Sequence, residues 1–161
     1  MLALIQRVTR AQVSVDGQTV GAIDAGILAL VAVEPGDGEA QVQRTCDRLL
    51  GYRIFDDGQG RMNRCLAETG GGLLLVSQFT LAADTRKGMR PGFSTAAAPA
   101  DGLRWYDRLV EIARGRHPEV ATGRYGAHML VESINDGPVT FILTARAPVP
   151  IASISMQSGS S

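Results

Sequence analysis

The spacing of apolar positions divides the chain into strands first and helices later. Residues 2–8 and 11–15 predict strands, and Val13-Ser14-Val15 alternates between two faces. Asp16-Gly17 predicts a tight hairpin turn into a strand over 19–23. Residues 26–33 are apolar almost throughout, which predicts a central strand buried on both faces. Glu34-Pro35-Gly36-Asp37-Gly38 ends it.

The period then changes. Val42, Cys46, Leu49 and Leu50 recur at helical spacing and predict a helix over 39–50. Leu103, Tyr106, Leu109, Val110 and Ala113 predict a second helix over 99–114, with Pro99 suited to its first turn. Between them, 52–55 predicts a strand, 56–60 a loop, and 62–68 fits either state. Gly70-Gly71-Gly72 reads as a flexible joint. The run over 73–81 begins as a buried strand and turns polar at Ser77-Gln78-Phe79-Thr80. Strand-like runs over 128–134 and 139–144 flank Asn135-Asp136-Gly137-Pro138. The pattern is α+β rather than repeated βαβ units. From Ala147 the chain becomes Pro-, Ser- and Gly-containing, and 147–161 is expected to be a loose tail after one domain over 1–146.

Composition narrows the function. A chain of 161 residues suits one domain with a full core. Sixteen basic residues balance sixteen acidic ones, so an RNA contact requires a local patch rather than a whole-molecule field. Cys46 and Cys65 form no CxxC and lie near no His pair, which argues for a reducing compartment and against a metal site. Nothing resembles a P-loop, a GxGxxG after a strand or a paired-carboxylate site, and no cofactor is expected. Polar residues interrupt the N-terminus too soon for a signal peptide. No apolar run approaches the roughly 20 residues that span a membrane. A cytoplasmic protein is the default expectation.

Three stretches carry candidate chemistry. At the 77–80 strand end, Thr80 is a candidate nucleophile, but such a role needs an adjacent base. Ser77 and Thr80 equally suit local backbone capping. His117 and His128 show no orienting constellation. Arg86-Lys87-Gly88-Met89-Arg90 is either a solvated loop or a phosphate-contacting patch, and Phe79 or Phe93 is either core or a base-stacking ring. Asn135-Asp136-Gly137-Pro138 reads as a tight turn or as a displayed backbone device, since a Gly-Pro bond can be cis and Gly lets another molecule approach closely.

Taken together, Ser77-Gln78-Phe79-Thr80-Leu81, the loop Ala83-Asp84-Thr85-Arg86-Lys87-Gly88 and Asn135-Asp136-Gly137-Pro138-Val139-Thr140 resemble one family. Ile5-Gln6-Arg7-Val8, Val15-Asp16-Gly17 and Val20-Gly21 match it as well. The chain resembles the D-aminoacyl-tRNA deacylases of bacterial and eukaryotic type over roughly 1–145. Met89 and Gly92 stand where that pattern has Asn and Ser.

The resemblance implies one α+β domain with a barrel-like, mixed and mostly antiparallel sheet and two main helices. It implies a homodimer that hydrolyses the ester between a D-amino acid and tRNA, with mischarged glycyl-tRNA as a second substrate. Gly137 and Pro138 would be a Gly-cisPro chirality gate reaching into the partner's site, held by Arg7. Thr80, Gln78 and Phe79 would be catalytic and Ser77 and Met129 would bind substrate. Arg86, Lys87 and Arg90 would contact tRNA phosphates. The substrate's 2′-OH would assist attack.

Two other readings stay open. One makes Thr80 a covalent nucleophile. The other is a non-catalytic tRNA-binding module using the 86–90 loop.

Overall fold

The computed structural model describes residues 1–146; the expected tail lies outside the described residues. Eight strands and three helices follow in order: β1 Leu2–Val15, β2 Gln18–Ile23, β3 Gly26–Ala32, α1 Glu39–Gly51, β4 Phe55–Asp56, β5 Met62–Arg64, α2 Leu66–Thr69, β6 Gly72–Ser77, α3 Pro99–Arg116, β7 Val120–Thr122 and β8 Leu130–Thr144. Among these residues no helix is long and apolar enough to cross a membrane.

β1 is the spine. Its first half pairs antiparallel with β3, its second half with β2, and almost its whole length with β8. The β1–β2 turn places Asp16 at φ 51° and Gly17 at φ 76°, the backbone a two-residue hairpin requires. The sheet continues β3–β6–β7 through parallel pairs. Each main helix lies on a crossover between parallel strands, α1 from β3 to β6 and α3 from β6 to β7. β7 comes round against β2, where a Cβ on Gly21 would strike the Thr122 backbone, so the sheet is barrel-like and nearly closed.

Both faces of the central strands are covered. Ile27, Ala29, Val31, Leu73 and Leu75 pack with Val42, Cys46 and Leu49 of α1 and Tyr106, Leu109 and Ala113 of α3. Leu28, Leu74 and Val76 point the other way and fill the barrel with Val8, Val13 and Ile23. The unbroken apolar runs of β3 and β6 follow from this double burial.

Several boundaries move from their expected places. The strands expected at 2–8 and 11–15 are one strand. The 52–55 strand shrinks to a pair beginning at Phe55, because Ile54 is buried in the core without a partner strand. The 73–81 strand stops at Ser77 and Phe79–Ala82 forms a 3₁₀ turn. The Gly70 joint is a left-handed helix cap at φ 70°.

The largest difference concerns 128–144. Leu130–Thr144 is a single strand, β8, not two runs joined by a turn. Gln6 pairs with Thr140 and Val8 with Asn135, so β8 spends three more residues than β1 over that interval. The Asn-Asp-Gly-Pro stretch is therefore a bulge on a continuous strand.

β3 and β6 touch most closely where Gly26 pairs with Gly72. A Cβ on Gly26 would fall onto the Gly72 carbonyl and within 2.7 Å of its nitrogen, and neighbouring backbone cannot step aside. Gly26→Ala is expected to lower stability by about 1–3 kcal/mol. Urea denaturation measures this, and an unchanged midpoint would refute it.

Candidate active site

β6 delivers Ser77 to the sheet end, and the chain turns sharply through Gln78 into the 3₁₀ turn. Ser77 and Gln78 are half-buried, while Phe79 and Thr80 are exposed. Ser77, Gln78 and Phe79 line a cleft of about 400 Å³ with Ala97, Pro99, Tyr125, His128 and Met129. Thr80 follows them in the chain without lining the cleft, and its hydroxyl accepts a hydrogen bond from Gln78 Nε2.

The cleft's far wall was not foreseen. Tyr125 lies over α3, where Gly102 leaves room: a Cβ there would meet the Tyr125 hydroxyl. That hydroxyl donates to the Pro99 carbonyl at 3.3 Å. Glycine inside a helix is otherwise unfavourable by about 1 kcal/mol, so Gly102 was the available signal. Gly123 does the same for Met129, whose Sδ lies 2.6 Å from where its Cβ would be. Tyr106 underlies Tyr125 at 5.7 Å between ring centres and donates to the Leu75 carbonyl at 2.9 Å. Burial pushes its phenol well above the usual tyrosine range, so it serves packing rather than proton transfer.

The ionisable groups are sparse. His117 is buried against the Gly71 carbonyl, 2.7 Å away, at the opposite end of β6. His128 is exposed on the cleft wall, ahead of β8 rather than within it. The Gln78 N–H is engaged by the Val31 carbonyl at 2.7 Å. The first N–H groups of the following turn, at Phe79 and Thr80, find no partner inside it. Among the described residues no group of three His, Cys, Asp or Glu is placed to hold a metal ion.

The cationic loop is pinned at its base. Asp84 and Gly92 exchange backbone hydrogen bonds of 2.7 and 3.0 Å. Arg86 grips Asp84 through Nε at 2.8 Å and Nη2 at 2.7 Å, holding its carboxyl well below the usual range. Lys87 and Arg90 make no ion pair among the described residues. Gly92 has ordinary φ and its Cβ would meet only Asp84 at 3.8 Å, so the serine of the family pattern would fit there.

Gly137 and Pro138 lie elsewhere. The peptide bond between them is cis, and both residues are exposed. With Arg7, Phe55, Asp56 and Met62 they line a separate hollow of about 540 Å³. Arg7 Nε donates to the Asp136 carbonyl at 3.0 Å and lies 3.2 Å from its carboxylate, while Nη1 donates to the Ile54 carbonyl at 2.7 Å. The Asn135 amide donates to the Arg7 and Val139 carbonyls at 2.9 and 3.1 Å. These contacts brace the bulge from both sides. Met129 and Gly137 stand eight residues apart, roughly 26 Å along extended chain. One chain does not bring the cleft and the bulge together.

This architecture defines a class: a nearly closed α+β barrel whose cleft is built from backbone, hydroxyl, amide and aromatic groups. A family model described as D-Tyr-tRNA(Tyr) deacylase matches residues 4–144. The D-aminoacyl-tRNA deacylase of Xanthomonas campestris pv. campestris is 64% identical over 144 residues, which are 89% of this chain and 99% of that protein. That of Methylococcus capsulatus is 66% identical over 143 residues, 89% of this chain and 94% of that protein. The solved structure of a c-Myc DNA Unwinding Element Binding Protein shares the fold at a TM-score of 0.86 and 33% identity, covering 91% of this chain and 100% of that one. The chain belongs to the D-Tyr-tRNA(Tyr) deacylase family.

Proposed function

We propose that this protein hydrolyses the ester of D-aminoacyl-tRNA, releasing D-amino acid and tRNA, as a cytoplasmic homodimer. Family membership supports the coarse activity. The observation that carries the finer reading is the separation of cleft and bulge within one chain.

The cleft takes the terminal adenosine and its aminoacyl group. Ser77, Gln78, Phe79 and Met129 surround them, and Phe79 and Thr80 offer backbone N–H groups to the developing oxyanion. Such a donor contributes about 2.7–4 kcal/mol. Gly137-Pro138 closes the partner's cleft and leaves no room for an L side chain at the substrate Cα. Specificity then comes from what the site obstructs. Glycine has no side chain to obstruct, so glycyl-tRNA is also a substrate. Lys87 and Arg90 contact phosphates, with Arg86 engaged in shaping their loop.

The dimer is supported by β8. Its outer edge has no partner strand among the described residues, and Leu130, Ile134 and Ile142 on it are 47–67% exposed. A long exposed apolar edge requires a cover. An isologous dimer whose two-fold axis passes between Met129 and Gly137 on β8 carries each bulge to the partner's cleft.

Matched D- and L-tyrosyl-tRNA test the proposal. Release of D-tyrosine at least about 100-fold faster than L-tyrosine is expected, since an obstructed side chain disturbs reactive geometry. Equal rates on the two would overturn the gate. Tight tRNA binding with no release from either would favour the non-catalytic module.

A further inference from the structure

We propose that Phe93, with the loop it closes, forms a second subsite that stacks the base of the nucleotide preceding the terminal adenosine. The inference rests on the assignment of the cleft to the aminoacyl-adenosine end.

Phe79 and Phe93 are among the few large apolar side chains left exposed, at 57% and 44%. Their rings pack against each other at 5.2 Å between centres and 55° between planes. Phe79 lines the cleft and Phe93 does not, so the pair runs from the cleft wall outward onto the surface. A cleft of about 400 Å³ lies near the lower end of the roughly 300–1,000 Å³ typical of small-ligand sites. It suits one nucleoside ester and leaves the next nucleotide outside, beside Phe93.

The surroundings match single-stranded RNA. The 84–92 bridge sets the base of the loop one residue before Phe93. On the other side the Thr95 hydroxyl donates to the Ala82 carbonyl and the Ala96 N–H to the Phe93 carbonyl at 3.1 Å. The ring is thus carried on anchored backbone. The same loop presents Lys87 and Arg90, both exposed. An aromatic face beside free cations is the arrangement that holds an unpaired strand: the ring takes a base, the cations take its phosphates. Stacking accepts any base, which suits a shared 3′ end rather than a sequence-specific site.

The test compares two substrates. Against D-tyrosyl-tRNA, Phe93→Ala should raise KM about 5- to 100-fold with kcat little changed. D-tyrosyl-adenosine, which lacks the preceding nucleotide, should be hydrolysed as by wild type, and this doubles as the folding control. Phe93→Trp should restore KM for the tRNA. Equal losses on both substrates would mean the ring only props Phe79, and an unaltered KM for the tRNA would also overturn the subsite. A Phe93→Ala protein that elutes as a monomer where wild type is a dimer would assign the ring to the subunit interface instead. Titration with the uncharged trinucleotide CCA separates this inference from the proposed activity. Wild type that binds CCA more tightly than Phe93→Ala does, yet releases no D-tyrosine, would sink the activity and keep the subsite. Wild type that releases D-tyrosine but binds CCA no better than the variant does the reverse.

Discussion

A D-aminoacyl-tRNA ending in 2′-deoxyadenosine is expected to be deacylated about 10²–10⁴-fold more slowly than its ribose counterpart, the range by which a positioned proton-transfer group accelerates such steps. The reason lies in what surrounds the reactive end. The Thr80 hydroxyl is already the acceptor of a hydrogen bond from Gln78. His117 is buried far away at the Gly71 carbonyl. Tyr106 is held protonated by burial. Among the residues lining the cleft, His128 supplies the one imidazole, and no carboxylate joins it. If it were the base, His128→Ala would lose nearly all activity. With the substrate's own hydroxyl as the assisting group, Thr80→Ala and His128→Ala both keep most of the activity and only the deoxy substrate fails. Normal turnover of the deoxy substrate would sink this mechanism. An inactive but folded Thr80→Ala, with an acyl adduct on wild-type Thr80 in mass spectrometry, would replace it with covalent catalysis.

Gly137→Ala should lower D-aminoacyl-tRNA deacylation by about 100-fold or more, the effect of misplacing a site-forming group by an ångström. A methyl group there meets the protein before it meets any substrate. Its Cβ would overlap the Val139 nitrogen and lie 2.7 Å from the Asn135 side-chain oxygen. Asn135 is the residue that ties the bulge to Arg7 and Val139. The bulge must therefore shift as a unit. Because it is exposed, the fold should survive, and unfolding midpoints should change little. Subunit mixing then asks which cleft the bulge serves. Met129→Arg, filling the cleft, is expected to be inactive alone. Equal mixing with Gly137→Ala makes half of the dimers mixed, each with one intact cleft facing one intact bulge. Activity should recover to about one quarter of wild type, a half of a half, as an isologous interface requires. No recovery would place cleft and bulge in the same chain's site.

Leu130, Ile134 and Ile142 looked like ordinary strand residues in the sequence, yet all three face outward on β8. Local pattern records apolarity but not which partner buries it. The same limit explains the bulge. Asn135, Asp136, Gly137 and Pro138 are turn residues by their individual chemistry. They became a bulge because β1 runs alongside without a break and holds strand on both sides of them. Tyr125 and Pro99 escaped notice as site residues because 26 positions separate them in the chain. Gly102 and Gly123 were visible, but what a glycine makes room for is a tertiary fact.

The sequence by itself determined the two main helices, α1 and α3, whose apolar faces repeat at their own period, and the doubly buried β3 and β6, whose runs leave no polar face; the short α2 lay in a stretch that fitted either state. It also determined the family, through motifs whose backbone demands are local: the Asp16-Gly17 hairpin, the Ser77–Thr80 strand end and the glycine-proline pair. Tertiary structure decided the rest. It merged two strands into β1 and two into β8, curled the sheet until β7 met β2, and set the cleft and the Gly137-Pro138 bulge apart. Those outcomes depend on pairings between residues more than a hundred positions apart, such as Gln6 with Thr140, and no local spacing encodes them.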